Sequence, residues 1–398
     1  MKFGLTRAQI VEDIAFLHQT ISDNNPLKFL KQRTHGVDWD DSGLRDGYIA
    51  RAGRVRTATG FLQLVNAICR DTRCGHIYPN PGFIVNLHKK DFESEGSPWR
   101  LAVDDELNYE RNLYWKKLVN FWLKVLAIPG KFRGKGLAGV EAAHDVALDD
   151  KTLYVRLPVM YQLDDEKTAW LSKIAASLNE YDNLIIDIRG NPGGGDGIWR
   201  ELLCKIINRD LVTPMILCVR AGEHIRPYYE ILAEGADDDE LDKYIKSNGI
   251  TFPAEVVTDA FRKPIFNNEV INPNEDSARY GGKIAVIVSR HNYSSSEAFL
   301  VRVAHNKLAT LVGEATGGDG IGCTPACCIL PNSKLNVIYP VVMGLNPDGT
   351  INDEHPIAPD IECEVPMFER PVHMYTDGGR EVLLADIAVR TALDALAK

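Results

Sequence analysis

Ile284-Ala285-Val286-Ile287-Val288, then Asn292-Tyr293-Ser294-Ser295-Ser296-Glu297, then Ala298-Phe299-Leu300-Val301-Arg302-Val303-Ala304, is the stretch that decides how this chain reads. The first run is short and β-branched, the mark of a buried strand, and the last has the apolar spacing of a helix. A serine on the turn between them is presented outward, with the free N–H groups of a helix N-terminus behind it. Nucleophilic serines need that arrangement, because those amides stabilise a developing oxyanion. Ser294 and Glu297, three positions apart, also fit a capping box. The segment alone leaves both readings open.

A second strand end narrows the choice. Asn183-Leu184-Ile185-Ile186-Asp187-Ile188-Arg189 runs into Gly190-Asn191-Pro192-Gly193-Gly194-Gly195-Asp196-Gly197, and then into Ile198-Trp199-Arg200-Glu201-Leu202-Leu203. This too reads strand, glycine loop, helix. Such a loop lets backbone approach a ligand and aims N–H groups at negative charge. No Lys-Ser/Thr follows the glycines, so it is not a P-loop, and the Gly-x-Gly-x-x-Gly spacing of a dinucleotide site is missing. A serine elbow beside an amide-rich loop supplies what acyl transfer needs, a nucleophile and an oxyanion hole.

Asp187-Ile188-Arg189-Gly190-Asn191-Pro192-Gly193-Gly194, Ser294-Ser295-Ser296-Glu297 and Val312-Gly313-Glu314-Ala315-Thr316-Gly317-Gly318 resemble, in order and spacing, the core motifs of one serine peptidase family. That family includes the C-terminal-processing (tail-specific) proteases, the core of tricorn protease and interphotoreceptor retinoid-binding protein. Ala358-Pro359-Asp360-Ile361 resembles its closing Pro-Asp motif. The resemblance covers about residues 152–364 strongly and 5–81 more weakly. It implies an α/β fold with a ClpP/crotonase-like spiral ββα core. It also implies a peptidase with Ser294 as nucleophile and the N–H groups of Gly193, Gly194 and Ser295 as oxyanion donors.

The same resemblance bears on the base. Tail-specific members carry a lysine in Thr-x-Gly-Lys-Gly; here Thr316-Gly317-Gly318-Asp319-Gly320 puts Asp319 at that position. A carboxylate is too weak a base for serine without strong perturbation. The tricorn-like branch takes a histidine from an earlier segment instead, and Arg73-Cys74-Gly75-His76-Ile77-Tyr78 offers His76. The serine that precedes that histidine in the tricorn pattern is replaced by Gly75. A late carboxylate should orient the imidazole. Counting back from Pro359 favours Asp353, whereas residue type favours Glu354. Glu297 is expected to cap its helix. His305 and Lys307 lie several turns down the helix after Ser294, out of reach. A catalytically inactive member that binds a peptide or apolar ligand, or an esterase or amidase on small acyl groups, are the alternative readings.

Composition fits an enzyme with ample core: 398 residues, 45% hydrophobic, 25% charged, net charge -10. The acidic balance argues against nucleic acid and anionic membrane as partners, leaving a peptide or unfolded protein as substrate and homo-oligomerisation open. No apolar run approaches the ~20 residues of a membrane span. The N-terminus lacks a signal-peptide core, and scattered cysteines such as Cys69, Cys204 and Cys218 read as reduced thiols, so a cytoplasmic location is expected. Cys323, Cys327 and Cys328 lack zinc-ligand spacing, and nothing calls for a metal or cofactor.

Along the chain, residues 1–80 read as an N-terminal helical subdomain, with helices over 7–21, 41–52 and a run ending near Cys69. Residues 81–150 read as a connecting segment with a strand at Phe83-Ile84-Val85 and an aromatic-rich helix over 107–126 ended by Pro129-Gly130. That segment is too short and too helical for a PDZ domain. Residues 151–398 read as the catalytic core, alternating strand and helix, with Met215–Val219 among its strands and an insertion at about 222–275.

Overall fold

The apolar runs ahead of the glycine loop and the serine turn become neighbouring parallel strands. The computed structural model describes residues 4–87, 97–126, 142–368, 371–372 and 379–398. Its strands, in chain order, are β1 (Tyr78–Pro79), β2 (His144–Ala147), β3 (Thr152–Arg156), β4 (Asn183–Asp187), β5 (Leu211–Cys218) and β6 (Ile265–Ile271), followed by β7 (Lys283–Val288), β8 (Thr310–Gly313), β9 (Ala326–Ile329), β10 (Asn336–Tyr339), β11 (Met343–Leu345) and β12 (Ile361–Glu362). Six of them form one sheet of order β12-β8-β7-β4-β3-β2, parallel except at the β2 edge.

Both faces of that sheet are covered, which is why its central strands are apolar almost throughout. Leu184, Ile186, Val286 and Val288 pack on one side, against Leu171 and Ile174 of helix Asp165–Leu178, Leu202 of Gly197–Ile206 and Phe299 of Ser295–His305. Ile185, Ala285 and Ile287, alternating with them, pack on the other, against Leu383, Val389 and Ala392 from the C-terminal helices.

A further apolar core joins the N-terminal helices to two three-stranded sheets, β1-β10-β9 and β11-β5-β6. Helix Arg7–Asn24 opens with a capping box between Thr6 and Gln9 and buries Ile10, Ile14, Leu17 and Ile21. Helices Ser42–Ala52 and Ala58–Asp71 follow. Helix Glu106–Leu126 lays Trp115 into this core, where its Nε1 donates to the Ser333 carbonyl at 3.0 Å. Pro129-Gly130 lies outside the described residues. Among the described residues no helix is long and apolar enough to cross a membrane.

One expectation is corrected. Phe83-Ile84-Val85 belong to helix Pro81–Leu87, not to a strand. Pro81 suits a first helical turn, and the Asn80 side chain accepts the Phe83 N–H at 3.1 Å, which nucleates that turn against β propensity. The strand expected at Met215–Val219 is present, and it stands outside the parallel sheet. Residues 215–218 fall in β5, which pairs antiparallel with β6 from Leu211↔Ile271 to Leu217↔Ile265. That partner strand lies inside the segment read as an insertion.

The topology gathers three loops on one edge. The turns that leave the carboxyl ends of β4, β7 and β8 sit side by side, where parallel sheets bind ligands. His76 arrives from the other core, immediately before β1, whose pairing with β10 (Tyr78↔Ile338) anchors it.

Candidate active site

Ser294 takes φ 59° and ψ −127° between β7 and helix Ser295–His305. A non-glycine residue in that region is strained by roughly 1–3 kcal/mol and persists only where its surroundings hold it. Here the Ser294 N–H donates to the Gly318 carbonyl at 3.3 Å. Asn292 ties the turn down from behind: its Oδ1 accepts the Ser289 N–H at 2.6 Å and its Nδ2 donates to the Ile188 carbonyl at 2.6 Å. The result is a nucleophile elbow in the geometric sense, with the side chain lifted off the helix.

The three consecutive serines are told apart by their partners. Ser295 Oγ donates to Asp196 Oδ1 at 2.5 Å and accepts from Trp199 Nε1 at 3.0 Å. Ser296 Oγ lies 2.9 Å from the Asn191 carbonyl and accepts the Tyr293 N–H at 2.8 Å. Ser294 makes no side-chain cap bond, and its Oγ lies 3.0 Å from His76 Nε2. Glu297 does not cap the helix either. Its carboxyl turns inward, where Oε1 accepts the Ile357 N–H at 2.8 Å and Asn352 Nδ2 at 3.3 Å while Oε2 is buried without a partner among the described residues. That burial pushes Glu297 up to about 7, against the hydrogen bonds it receives.

His76 Nδ1 lies 2.7 Å from Asp319 Oδ2. A carboxylate there selects the tautomer with the proton on Nδ1 and leaves the Nε2 lone pair facing the Ser294 hydroxyl. Burial alone pulls the imidazole down, but the hydrogen bond and charge of Asp319, with the charge of Asp353, outweigh it and leave the pKa above its ordinary 6.5. Asp319 itself adopts a left-handed φ of 55°, in a loop held to the elbow by the Gly317 N–H donating to the Asn292 carbonyl at 2.7 Å.

The glycine loop lies directly on the elbow. At φ 98° a Cβ on Gly193 would come within 2.6 Å of the Tyr293 carbonyl oxygen and 2.9 Å of Ser294 Cβ, so only glycine fits. The Gly193 N–H is taken by Asn191 Oδ1 at 2.8 Å. The N–H groups of Gly194 and Ser295 have no acceptor among the described residues. Of the three expected oxyanion donors, those two stand unengaged, whereas the Gly193 N–H is bonded to Asn191.

A strand-end glycine loop, a strained serine and a histidine–carboxylate pair around it are the chemistry of a serine hydrolase, and the family comparison agrees. Residues 151–363 match the model of peptidase family S41. The chain belongs to peptidase family S41. It is a serine-type peptidase, a hydrolase of peptide or protein substrates, and the motif resemblance is borne out at family level. No curated protein sequence matches it significantly. Among solved structures it is similar to mature CPAF complexed with lactacystin, at 14% identity and a TM-score of 0.58 over 98% of this chain and 99% of that one. It is also similar to a candidate peptidase from Parabacteroides merdae, at 16% identity and a TM-score of 0.55 over 97% and 96%. At such identities the likeness speaks for the fold.

Against the S41 motifs, two positions depart. Asp319 occupies the place of the tail-specific lysine and reaches His76, a partnership the sequence reading missed. Gly75 occupies the place of the tricorn serine, and the space a side chain would need is filled: a Cβ there would sit 2.7 Å from the Tyr293 hydroxyl. The late carboxylates are engaged elsewhere. Asp353 pairs with Lys31 at 2.5 Å, both about one-tenth exposed, and Glu354 pairs with Arg33 at 2.5 Å. Neither hydrogen-bonds His76; Asp353 acts on it only through its charge. Burial and the neighbouring Asp319 charge raise the Asp353 pKa in spite of Lys31. His305 closes its 11-residue helix, about 16 Å along the axis from Ser294.

Proposed function

We propose that this S41 peptidase cleaves peptide bonds through a Ser294–His76–Asp319 relay. His76 Nε2 takes the hydroxyl proton as Ser294 Oγ attacks the scissile carbonyl, and Asp319 balances the imidazolium that forms. The N–H groups of Gly194 and Ser295 receive the oxyanion, joined by Gly193 when Asn191 turns away. The imidazolium then protonates the leaving amine. Water, deprotonated by the same nitrogen, releases the acyl group from Ser294. The observation that carries the reading is the unbroken pair of contacts, 3.0 Å from serine to imidazole and 2.7 Å from imidazole to carboxylate.

A histidine base drawn from an early segment, with a carboxylate where tail-specific members keep lysine, is the reason to place the chain nearer the tricorn-like branch. Neither Asp353 nor Glu354 takes the orienting role in this reading, because each already has a basic partner. The test is turnover of a mixed peptide pool by the parent, Ser294→Ala and His76→Ala. Ser294→Ala should fall to background and His76→Ala by about a hundredfold or more, with His305→Ala and Lys307→Ala near the parent. Parental turnover in folded Ser294→Ala or His76→Ala would overturn the assignment.

A further inference from the structure

Tyr293 adjoins both the nucleophile and the base without being either. Its ring stacks on the His76 imidazole, centroids 4.9 Å apart and planes at 24°. Its hydroxyl donates to Asp319 Oδ2 at 2.5 Å, the same oxygen that faces His76 Nδ1. Its backbone N–H is held by Ser296 Oγ, so the side chain is fixed at its root. Gly75, just before the base, leaves the hydroxyl its room.

We propose that Tyr293 is a positioning residue of the relay, steering His76 both through the face of its ring and through the Asp319 oxygen that the two side chains share. The inference rests on the Ser294–His76–Asp319 reading and adds to it. The stacked ring restricts imidazole rotation, so Nε2 stays on the serine. The phenol disperses part of the Asp319 charge, because two donors on one carboxylate oxygen divide its hydrogen-bonding capacity. Burial and the adjacent Asp319 charge keep the phenol protonated, so it remains a donor over the working pH range. The other titratable groups around His76 are Asp353, neutralised in part by Lys31, and Cys74, a buried thiol that burial and nearby carboxylates keep protonated.

Removing the hydroxyl should return that charge to the imidazole. Tyr293→Phe should therefore move the acid limb of the kcat/KM profile to higher pH, by about half a unit; the carboxylate, no longer held by the phenol, is freed to turn, which should lower kcat by roughly threefold to tenfold with KM little changed. A role confined to packing would lower the unfolding temperature and leave the limb in place. Gly75→Ala supplies an independent perturbation, since its Cβ would strike the phenol oxygen. It should reproduce the alkaline displacement in the parent and cost less in the Tyr293→Phe background, where the struck oxygen is gone. An unshifted limb in folded Tyr293→Phe, or in folded Gly75→Ala, overturns the proposal. Asp319→Asn separates the two levels. If Asp319→Asn is inactive while Tyr293→Phe is parental, the relay stands and the tyrosine role falls. If both are parental, the relay itself falls.

Discussion

Asp319→Asn removes one negative charge and leaves the shape of the side chain. In the transition state the Ser294 proton sits on His76, and the carboxylate faces an imidazolium whose charge centre is about 4 Å away. At an effective dielectric constant of ~20 that attraction is about 4 kcal/mol. The side chains of His76 and Asp319 are 25% and 12% exposed, so solvent trims it to roughly 3 kcal/mol. That corresponds to a factor of roughly 10²–10³ in rate. Loss of tautomer control adds to it, since an amide NH₂ turned toward Nδ1 would place the ring proton on Nε2. Comparable substitutions in serine-protease triads cost about 10⁴ in kcat. The expected result is therefore a fall in kcat of at least about a hundredfold, with KM within a few-fold, measured on a fluorogenic peptide with circular dichroism as control. Residual activity should also titrate at lower pH, because Asp319 is the main influence holding the imidazole up against burial. A folded Asp319→Asn variant with more than about a tenth of parental kcat would rule out this role for Asp319.

In the parent, kcat/KM should rise with pH through an apparent pKa above 6.5, the direction set by Asp319 and Asp353; a midpoint below that value would contradict it. The same raised pKa makes His76 contribute stability that is present below pH ~6.5 and lost as pH rises through its folded value. Ser294→Gly should abolish turnover yet stabilise the fold by about 1 kcal/mol in urea titrations, because it relieves the positive φ, whereas Ser294→Ala should not stabilise. Glu297 is neutral-favouring in the fold, so stability should fall as pH rises from about 4.5 to about 7, by up to ~3 kcal/mol. Glu297→Gln should flatten that slope and raise the urea midpoint at pH 8; an unchanged slope would count against the buried-carboxyl account.

What the sequence made legible was whatever is encoded locally. The runs that became β4 and β7 are apolar because both faces of the sheet are buried, and the glycines and serines at their ends are spaced by the turns they make. Motif order then carried the family. The reading failed where a partner came from far along the chain. Asp319 is 243 residues from His76, and only the tertiary fold brings the two segments together. It looked like a vacated lysine position because its role depends on a contact that no spacing records. Glu297 had the pattern of a capping residue, but the Ile357 N–H, 60 residues on, competes for its carboxyl. β6 carries Asn267, Asn268 and Glu269 at its centre, which hides it from any search for apolar alternation. Gly75 read as a missing serine, whereas it is the clearance for Tyr293.

Catalysis turns on a single activated hydroxyl, and a fluorophosphonate probe followed by peptide mapping with mass spectrometry reads it directly. One adduct is predicted, on Ser294, forming faster as pH rises through the His76 midpoint and slowed by about a hundredfold or more in His76→Ala. An adduct on Ser295 or Ser296 instead, or labelling of Ser294 that is indifferent to the loss of His76, would contradict it.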